Sequence, residues 1–497
     1  MGISGFKKAF IGSGIFSLPA FFFCSPIFAA TYYTAPSGHD LDVGSLDKPF
    51  ATMAQAQSAA KPGDTLYFRG GDYLFASAAD QVGVTLDKSG IPGKPIHYFA
   101  YPGEVPVFDF HGMTALKRIK GVLVTGSWLH VKGMEMKGVT QNLRDGVAHE
   151  NWCVYVDGGN HDIFERLDLH HNMGPGLFII AGGDNLILNC DSHHNYDLFS
   201  YANGVLKPGE NADGFGFHSR NASNTGNVFR GCRAWWNADD GWDFIEAAAS
   251  VTVENCWSWN NGYKAGTTEA AGNGNGFKVG GYGLPPDAPA IIPRHMIRFC
   301  LAFDNRAAGF YQNHHPLPNY YYDNTSFDNK GADFNLLGYD LEKAGDANLG
   351  ILRNNLAFTG TALANASGAG VDAAGNSWNL PVTVTSADFI STDTAGVAGP
   401  RSGDGGLPYL GFMRLRAGSD LIDRGVDVQL PYAGSAPDLG AFESGKVTGL
   451  GARDGGKHAI KTGRASGEAH PVEYDVTGRE ARESLRKDAA LTLPGPR

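Results

Sequence analysis

Charged side chains are scarce in this 497-residue chain, and its charge balance is acidic rather than basic. Asp, Glu, Lys and Arg make up 18% of the residues, and the formal net charge at pH 7 is −11. Without a basic excess there is no reason to expect nucleic acid as a partner. The small number of charges, together with 68 Gly and 11% aromatic residues, argues against a disordered chain or a helical bundle. This composition favours many short strands joined by turns.

Long apolar runs are missing after residue 30, so no later segment is expected to span a bilayer. The first thirty residues have the pattern of a signal peptide, with Lys7 and Lys8 followed by the apolar stretch AFIGSGIFSLPAFFFCSPIFAA. The small residues at its end predict cleavage near Ala29 or Ala30 and a secreted protein that has no membrane segment after cleavage. An uncleaved membrane anchor is the alternative, and the proline within the stretch fits it less well.

Cysteine is also rare, and no CxxC spacing suggests a zinc site. Five cysteines remain after residue 30, and an odd number leaves at least one thiol unpaired in an oxidising compartment. Four of the five begin copies of a repeat, so we interpret them as an internal stack rather than as disulfide partners. The five residues are Cys153, Cys190, Cys232, Cys256 and Cys300.

A six-residue pattern recurs between residues 167 and 329, in the forms LDLHHN, CDSHHN, CRAWWN, CWSWNN, CLAFDN and NTSFDN. The final Asn residues are 23, 42, 24, 44 and 24 residues apart, which is a period of about 23 with two stretched copies. One copy cannot bury its own apolar face, so stacked copies must share a core. We therefore predict an all-β parallel β-helix, a solenoid, in which the repeated Cys and Asn stack inside. A β-propeller needs a period of about 40 residues, and the leucine pattern of a horseshoe fold is absent.

The two ends of the predicted solenoid differ in sequence. PFATMAQAQSAAKPGD predicts an amphipathic N-terminal capping helix that covers the open end and hides its unpaired strand edge. We expect residues 1–30 to be the signal peptide and residues 31–445 to be the folded domain, which ends with APDLGAFE. Residues 446–497 are polar and charged and are interpreted as a flexible tail.

A second repeated position, a glycine that follows each of the first five Asn residues of the repeat, defines the candidate site. An apolar residue follows each glycine, and alternation along a strand puts that residue inside and the next one outside. Asp243 and Lys278 occupy outward positions and should be neighbours, because strands of adjacent coils lie about 4.8 Å apart. Asp213 and Asp240 each precede a glycine, and Asp239 lies beside them. The glycines are Gly176, Gly214, Gly241, Gly276 and Gly309.

The four carboxylates of Asp213, Asp239, Asp240 and Asp243 come from two successive coils, and this crowding predicts a cation site. Without a counter-charge their repulsion would be costly. Oxygen ligands without cysteine favour a hard cation, and Ca²⁺ tolerates irregular geometry best. For any single Asp, a solvated turn residue is the alternative interpretation. The stretched repeats insert long loops just before these strands, where loops on a rigid scaffold tend to carry function.

Five motifs resemble the core of family 9 polysaccharide lyases: NADGFGF, GCRAWWNADDGWDF, ENCWSWNNG, GNGNGFKVGG and AFDNRAAGFYQNHH. With the similar opening segment, the resemblance covers roughly residues 31–445. It implies a right-handed parallel β-helix of ten coils and a pectate lyase that acts on α-1,4-linked galacturonan, an acidic plant cell-wall polysaccharide. It also implies that the aspartates of the DGF and DDGWD motifs bind Ca²⁺ and that the lysine of NGFK is the base. These positions are Asp213, Asp239, Asp240, Asp243 and Lys278.

The reaction that the resemblance implies is a β-elimination, in which neutral Lys278 removes the C5 proton and the bond to O4 breaks. A monomer is expected. A rhamnogalacturonan lyase, a β-helix glycoside hydrolase with paired carboxylates and a non-catalytic calcium-binding surface solenoid stay open as alternatives. Polar residues close to these motifs are candidates for binding the acidic chain. They are His218, Arg220, Arg306, Asn313, His314 and His315.

Overall fold

The computed structural model describes Gly2 and residues 29–445, except for residues 77–80, 117, 148 and 283–287. The described chain winds through three long parallel sheets, here named A, B and C in the order in which the chain enters them. Ten successive coils pass through all three sheets, and sheet A has one further strand at each end of the described solenoid. The predicted parallel β-helix is therefore confirmed, and so is the expected number of coils. The predicted signal peptide, apart from Gly2, Ala29 and Ala30, and the predicted tail lie outside the described residues.

Sheet A has twelve described strands, and its inward side chains alternate with outward ones. Its strands are Thr31–Thr34, Thr65–Phe68, Ile96–Ala100, Leu129–Lys132, Ile163–Glu165, Leu186–Leu188, Asn227–Arg230, Val251–Glu254, Met296–Arg298, Tyr320–Tyr322, Gly350–Arg353 and Val371–Ala374.

Sheet B has ten described strands, and six of them hold the second to fourth residues of the six-residue repeat. Its strands are Gly71–Ala76, Pro106–Gly112, Glu135–Lys137, Asp168–His170, Asp191–His193, Arg233–Trp235, Trp257–Trp259, Leu301–Phe303, Thr325–Phe327 and Leu356–Phe358.

Sheet C has ten described strands, and in its middle they shorten to two or three residues. Its strands are Val82–Leu86, Lys120–Val124, Trp152–Asp157, Leu177–Ala181, Phe215–Phe217, Trp242–Asp243, Phe277–Lys278, Phe310–Tyr311, Ala332–Asn335 and Thr361–Ala364. Two short hairpins leave the coils, formed by Tyr201–Ala202 with Val205–Leu206 and by Leu337–Asp340 with Gly345–Asn348.

The core of the solenoid is built from rows of equivalent side chains. Phe215, Trp242, Phe277 and Phe310 stack through successive coils, with ring centroids 5.0, 4.7 and 5.0 Å apart. All four are almost completely buried. Each such ring contributes roughly 1.5–3 kcal/mol through burial, so the row is a large part of what holds the coils together.

The asparagine that ends each repeat forms a buried ladder along the corner after sheet B. Asn195 Nδ2 donates to Asn237 Oδ1 at 2.9 Å, and Asn237 Nδ2 donates to Asn261 Oδ1 at 3.1 Å. The residue before each Asn has a left-handed backbone, for example Trp236 at φ 54°. That turn exposes backbone amides, and the Asn side chains satisfy them, as when the amide of Asn237 donates to Asn261 Oδ1 at 3.1 Å. The predicted Asn stack is confirmed.

The five cysteines between residues 153 and 300 are all buried and free, as the repeat predicted. Four of the thiols, those of Cys190, Cys232, Cys256 and Cys300, lie one above another where the chain enters sheet B, whereas Cys153 lies in the strand Trp152–Asp157 of sheet C. For example, the amide of Cys232 donates to Cys256 Sγ at 3.3 Å. They serve as small core residues rather than as disulfide partners.

The ends of the solenoid are closed by segments of different kinds. The predicted capping helix is present as Met53–Ala59, and the side chain of Thr52 accepts a hydrogen bond from the amide of Gln55 at its N-terminus. After the last strand of sheet A, residues 375–445 form mostly irregular structure with one short 3₁₀ helix, Ser386–Asp388. None of the described helices has the length and apolarity that crossing a bilayer requires.

The irregular C-terminal segment folds back over the outer face of sheet B. There the outward side chains of the repeat, among them Trp257, Trp259 and Phe303, form a second apolar cluster with Phe412 and Phe442. Sheet B is therefore covered on both faces at these coils. The outer face of sheet C has a different character, because its outward row carries charged residues.

Candidate metal and catalytic site

The site is built on the outer face of sheet C, in the alignment that the glycines predicted. Gly216, Asp243, Lys278 and Tyr311 pair in register on four successive strands. Each of these residues directly follows a member of the inward aromatic row, so its side chain points out of the solenoid. The rigid stack beneath therefore fixes the spacing of the charged groups above.

Three carboxylates meet at this face. Asp213, Asp240 and Asp243 offer oxygen atoms that all lie within 4.8 Å of one another, and the three residues are almost fully buried. Asp213 Oδ1 accepts a hydrogen bond from the amide of Asp240 at 3.1 Å, which ties the two coils together. The structure thus brings together three of the four acids that the sequence selected.

The fourth acid, Asp239, lies beside this group and is held by a loop. Its Oδ1 accepts from the backbone amide and the side chain of Asn273, at 2.6 and 2.9 Å. Asp240 Oδ1 is held in the same way by Asn275, at 2.6 and 2.9 Å. These asparagines are not among the site residues predicted from the sequence, although their alternation in GNGNGF is a signal that could have indicated them.

The site has more negative than positive charge. Lys278 Nζ lies 2.8 Å from Asp243 Oδ2 and 3.2 Å from Asp240 Oδ2, and it is the one cation in contact with these oxygens in the described part of the chain. Asp240 Oδ2 is buried without a hydrogen bond. One ammonium cannot balance four carboxylates, and Asp240 Oδ2 has an ion pair with Lys278 but no hydrogen bond, so a bound cation would complete its contacts. The all-oxygen ligand set fits Ca²⁺.

Burial and mutual repulsion raise the pKa of Asp213 and that of Asp239 well above the ordinary value for aspartate. Burial also raises the pKa of Asp240, while Lys278 opposes that change. Burial alone would lower the pKa of Lys278, but the four surrounding carboxylates raise it well above its usual value. In this charge environment Lys278 is therefore an ammonium, which cannot accept a proton.

His218 is the predicted binding residue that the structure places nearest to the acids. Its Nε2 lies 3.9 Å from Asp243 Oδ2, and its ring packs 4.5 Å from that of Phe178. Burial lowers its pKa, so the ring is neutral at neutral pH. Arg220 lies further out and forms an exposed ion pair with Glu246 at 2.5 Å. These two residues border the coil on the N-terminal side of Asp243.

Arg306 and Asn313 support the loops around the site. Arg306 Nη1 donates to the carbonyl oxygens of Gly272 and Asn273, at 2.9 and 3.2 Å, so it braces the loop that holds Asp239. Asn313 Nδ2 donates to the carbonyl oxygen of Gly280 at 2.5 Å. Their observed contacts are with the protein itself.

The two adjacent histidines differ in exposure. His314 is partly exposed, and its Nε2 lies 3.7 Å from Asp346 Oδ1. His315 is fully buried; its Nδ1 accepts from the amide of Gly281 at 3.3 Å, and its Nε2 lies 2.8 Å from the carbonyl oxygen of Pro293. A substrate role for His315 stays a prediction, since in this structure both ring nitrogens have protein partners.

Comparisons with known proteins agree with this architecture. The family model described as "Pel9A-like, right handed beta helix region" matches residues 32–355. Pectate lyase L of Dickeya chrysanthemi is 36% identical over 419 residues, which cover 83% of this chain and 90% of that protein. A solved rhamnogalacturonan lyase has a TM-score of 0.72 and 36% identity, covering 78% of this chain and 97% of its own. The crystal structure of pectate lyase Pel9A has a TM-score of 0.68 and 32% identity, covering 83% and 96%.

Proposed function

Since the chain belongs to the Pel9A-like family of right-handed β-helix proteins and is a polysaccharide lyase, we propose that it cleaves pectate by calcium-dependent β-elimination. The substrate would be α-1,4-linked galacturonan, an acidic polysaccharide of plant cell walls. The single observation that carries this proposal is the pairing of Lys278 with the buried acids one coil away, at 2.8 Å from Asp243. An amine beside an incompletely balanced carboxylate group is what a metal-assisted proton abstraction needs.

Asp213, Asp240 and Asp243 would hold the Ca²⁺, with Asp239 completing the site from its loop. When bound, the ion supplies positive charge that binds the C6 carboxylate of a galacturonate and favours the negative charge that develops beside C5 during elimination. The acids serve a second purpose through Lys278. Because their charges hold its pKa well above the usual value, their neutralisation is the condition under which Lys278 loses its proton.

Neutral Lys278 would then act as the general base. Its Nζ takes the C5 proton, the C5–H electron pair forms the C4–C5 double bond, and the C4–O4 bond breaks. The departing O4 takes a proton from water, and the product is a 4,5-unsaturated sugar. The inward aromatic row keeps Nζ aimed out of the sheet, so the base is held in place before substrate arrives.

His218 and Arg220 are the candidates for binding the acidic chain on the N-terminal side of Lys278. His218 is neutral and adjoins Asp243, so it would donate a hydrogen bond, whereas Arg220 would add a positive charge that its ion pair with Glu246 keeps in place. Tyr311, next to Lys278 in the outward row, borders the other side. His314 is exposed enough to reach a polymer, while Arg306 and Asn313 would act by supporting their loops.

The direct test is to supply polygalacturonate to the purified protein and to follow the ultraviolet absorbance of unsaturated products, with and without a calcium chelator. We expect the absorbance to grow with time, to stay constant when chelator is present and to grow again when Ca²⁺ is added back. A hydrolase would release reducing ends without this absorbance, and a non-catalytic solenoid would release neither. Either result would overturn the proposed reaction.

A rhamnogalacturonan backbone is the second candidate substrate. It is favoured by one observation, the 36% identity to a solved rhamnogalacturonan lyase. Both polymers present an acidic sugar with a C5 proton, so the same base and cation would serve both. Parallel assays on polygalacturonate and rhamnogalacturonan decide between them, and the proposal requires the higher kcat/KM on polygalacturonate.

We also propose that the protein is secreted and acts as a monomer that binds neither nucleic acid nor membrane after its signal peptide is removed. The secretion proposal rests on the charged, apolar and small-residue pattern of residues 1–30. Mass spectrometry of the exported protein should find a mature chain that begins near Thr31, and light scattering should give the mass of one chain. An exported protein with residues 1–30 intact would contradict the first expectation.

A further inference from the structure

Four histidines form a separate cluster at the edge of sheet B, from the repeat copies LDLHHN and CDSHHN. His170 stacks on His193 with ring centroids 4.9 Å apart and 8° between the planes. His171 stacks on His194 at 5.3 Å and 15°. His170 and His171 form a pair on one coil, and His193 and His194 form the equivalent pair on the next coil. The reaction proposed above uses none of the four. The cluster ends after two coils, because Lys137 and Trp235 occupy the flanking register positions.

Within each pair, two ring nitrogens point at each other. His170 Nδ1 lies 2.7 Å from His171 Nδ1, and His193 Nδ1 lies 2.7 Å from His194 Nδ1. One nitrogen of each pair must donate the proton and the other must accept it. A metal ion that replaces this shared proton would gain two nitrogen ligands at once from each pair.

Carboxylates fix the tautomers of His170 and His193, the two histidines that lie in strands of sheet B. His170 Nε2 lies 3.1 Å from Glu135 Oε1, and His193 Nε2 lies 2.9 Å from Asp168 Oδ1. Each Nε2 therefore carries the proton that it donates to the carboxylate, which leaves Nδ1 with its lone pair. A carboxylate that orients a histidine in this way is the usual second partner of a metal-ligating imidazole.

We propose that His170, His171, His193 and His194 bind one divalent ion of the zinc, copper and nickel class, which bridges two coils of the solenoid. Imidazole nitrogens select these borderline metals, whereas the all-oxygen site on sheet C selects a hard cation. The protein would thus carry two chemically distinct metal sites on two of its sheets.

Binding of one ion by all four rings requires the two coils' imidazoles to tilt toward each other, because the stacked rings lie 4.9 and 5.3 Å apart. Two nitrogens that bind one tetrahedral Zn²⁺ at 2.0–2.1 Å lie about 3.3 Å apart, so each 2.7 Å pair must open by about 0.6 Å. His171 and His194 lie in the left-handed turn, with φ of 53° and 57°, and His171 is exposed whereas His170 is half-buried. Burial lowers the pKa of His170 and of His171, and it lowers that of His194 to about 4, so these rings are neutral and able to ligate near pH 7.

The test is zinc binding by the mature, calcium-loaded protein, produced without a polyhistidine tag. Isothermal titration should give one Zn²⁺ per chain, and Co²⁺ should give the visible absorption of a tetrahedral nitrogen site. The double variant His171→Asn/His194→Asn should lose at least tenfold in zinc affinity, and so should either single variant, because the ion bridges both coils. Glu135→Gln with Asp168→Asn should weaken binding by about 10–100-fold through the lost orientation of the rings.

Two control variants make the result specific. His111→Asn removes an exposed histidine that also contacts a carboxylate, Asp109 at 3.1 Å, and it should leave zinc binding unchanged. Asp240→Asn disrupts the acid cluster on sheet C, and it should also leave zinc binding unchanged. Unchanged zinc affinity in the His171/His194 double variant, or binding that disappears with Asp240→Asn, would overturn the proposal. Loss of only one of two independent ions in each single variant would overturn the bridging geometry.

Discussion

Two clusters of buried charged side chains, one on sheet B and one on sheet C, differ in how far their carboxylates are balanced by positive charge. On sheet B the carboxylate of Asp191 contacts two guanidinium groups: Arg233 binds it with two nitrogens at 2.6 and 2.7 Å, and Arg401 binds it at 2.6 Å. The remaining donors reach backbone carbonyls, as when Arg233 bonds Val397 and Gly399 at 2.9 and 2.8 Å. There the protein supplies all of the counter-charge.

On sheet C four acids share one lysine, and one buried carboxylate oxygen has no hydrogen bond. At this site the protein supplies less positive charge than the four acids carry. The contrast teaches how to separate a structural from a functional charge cluster. Balanced charges with satisfied donors anchor a segment, here the C-terminal segment on sheet B, whereas an unbalanced cluster destabilises the fold until a cation binds to it.

The largest expected effect comes from removing the single cation of the unbalanced cluster. Lys278→Ala should lower kcat on polygalacturonate by about 10³-fold, or about 4 kcal/mol of transition-state stabilisation, because the base is lost. Lys278→Arg should be nearly as damaging, since Arg keeps its proton. Lys264→Ala, which removes an exposed ion pair with Glu269, is the matched control and should be close to the parent.

The readout for these variants is kcat together with calcium affinity and folded-state circular dichroism. Lys278→Ala should keep its fold and bind Ca²⁺ at least as tightly as the parent, because a competing positive charge is gone. Near-normal turnover in Lys278→Arg would show that this residue binds a carboxylate rather than acting as the base.

The next effect is on stability and comes from the balanced cluster. Arg401→Met should destabilise the fold by about 3 kcal/mol, because it leaves Asp191 with one partner and removes hydrogen bonds to the carbonyls of Cys190 and Gly231. Urea unfolding measures this loss, and the exposed Arg416→Met is the control. A stability equal to that of the control would mean that the C-terminal segment is held by its apolar contacts alone.

The sequence predicted the cluster on sheet C better than the one on sheet B, and the reason is periodicity. A glycine-anchored repeat with period-two alternation fixes which residues share a row, so the pairing of Asp243 with Lys278 followed from spacing. Arg401 and Asp191 are 210 residues apart, and the C-terminal segment has no repeat, so nothing local indicated their contact.

The same limit applies to the supports of the site. Asn273 and Asn275 lie in a loop whose path is set by tertiary contacts such as the brace from Arg306, and no strand rule places their amides. The direction of Asp239 at a corner was equally beyond alternation. Repeats therefore predict the rows of a solenoid, while its insertions and its returning segment have to be observed.

A smaller effect is the change in unfolding free energy on Asp→Asn substitution, which should have opposite signs in the two clusters. In chelator, Asp240→Asn should stabilise the protein by about 1 kcal/mol, because it removes one repelling charge from the unbalanced site at the cost of metal binding. The same chemical change at Asp191 should destabilise, since it leaves two guanidinium groups unpaired. Urea unfolding of both variants, with chelator and with Ca²⁺, checks the prediction. A loss of stability for Asp240→Asn in chelator would show that its neighbours already balance the site.

The smallest effect is the pH dependence of the stability difference between Asp240→Asn and the parent protein. Burial raises the pKa of Asp240, so the folded protein keeps a proton that the unfolded chain releases above its ordinary value of 3.8. The destabilising contribution of Asp240 is therefore absent below this value, grows as pH rises, and is complete above the folded pKa. In chelator, the difference in unfolding free energy between Asp240→Asn and the parent should therefore increase from pH 4 to pH 8, by less than about 1 kcal/mol.

Asp191 should respond in the opposite direction. Burial opposes its ionisation, but Arg401 and Arg233 outweigh it and hold the pKa of Asp191 below 3.8, so its stabilising contribution is present above that value and is lost as pH falls through the folded pKa. Between pH 4 and pH 8 the gap between Asp191→Asn and the parent should stay nearly constant, and it should narrow only in stronger acid. If both gaps were flat from pH 4 to pH 8, Asp240 would be ionised throughout, and a charge other than a bound cation would have to balance the acids on sheet C.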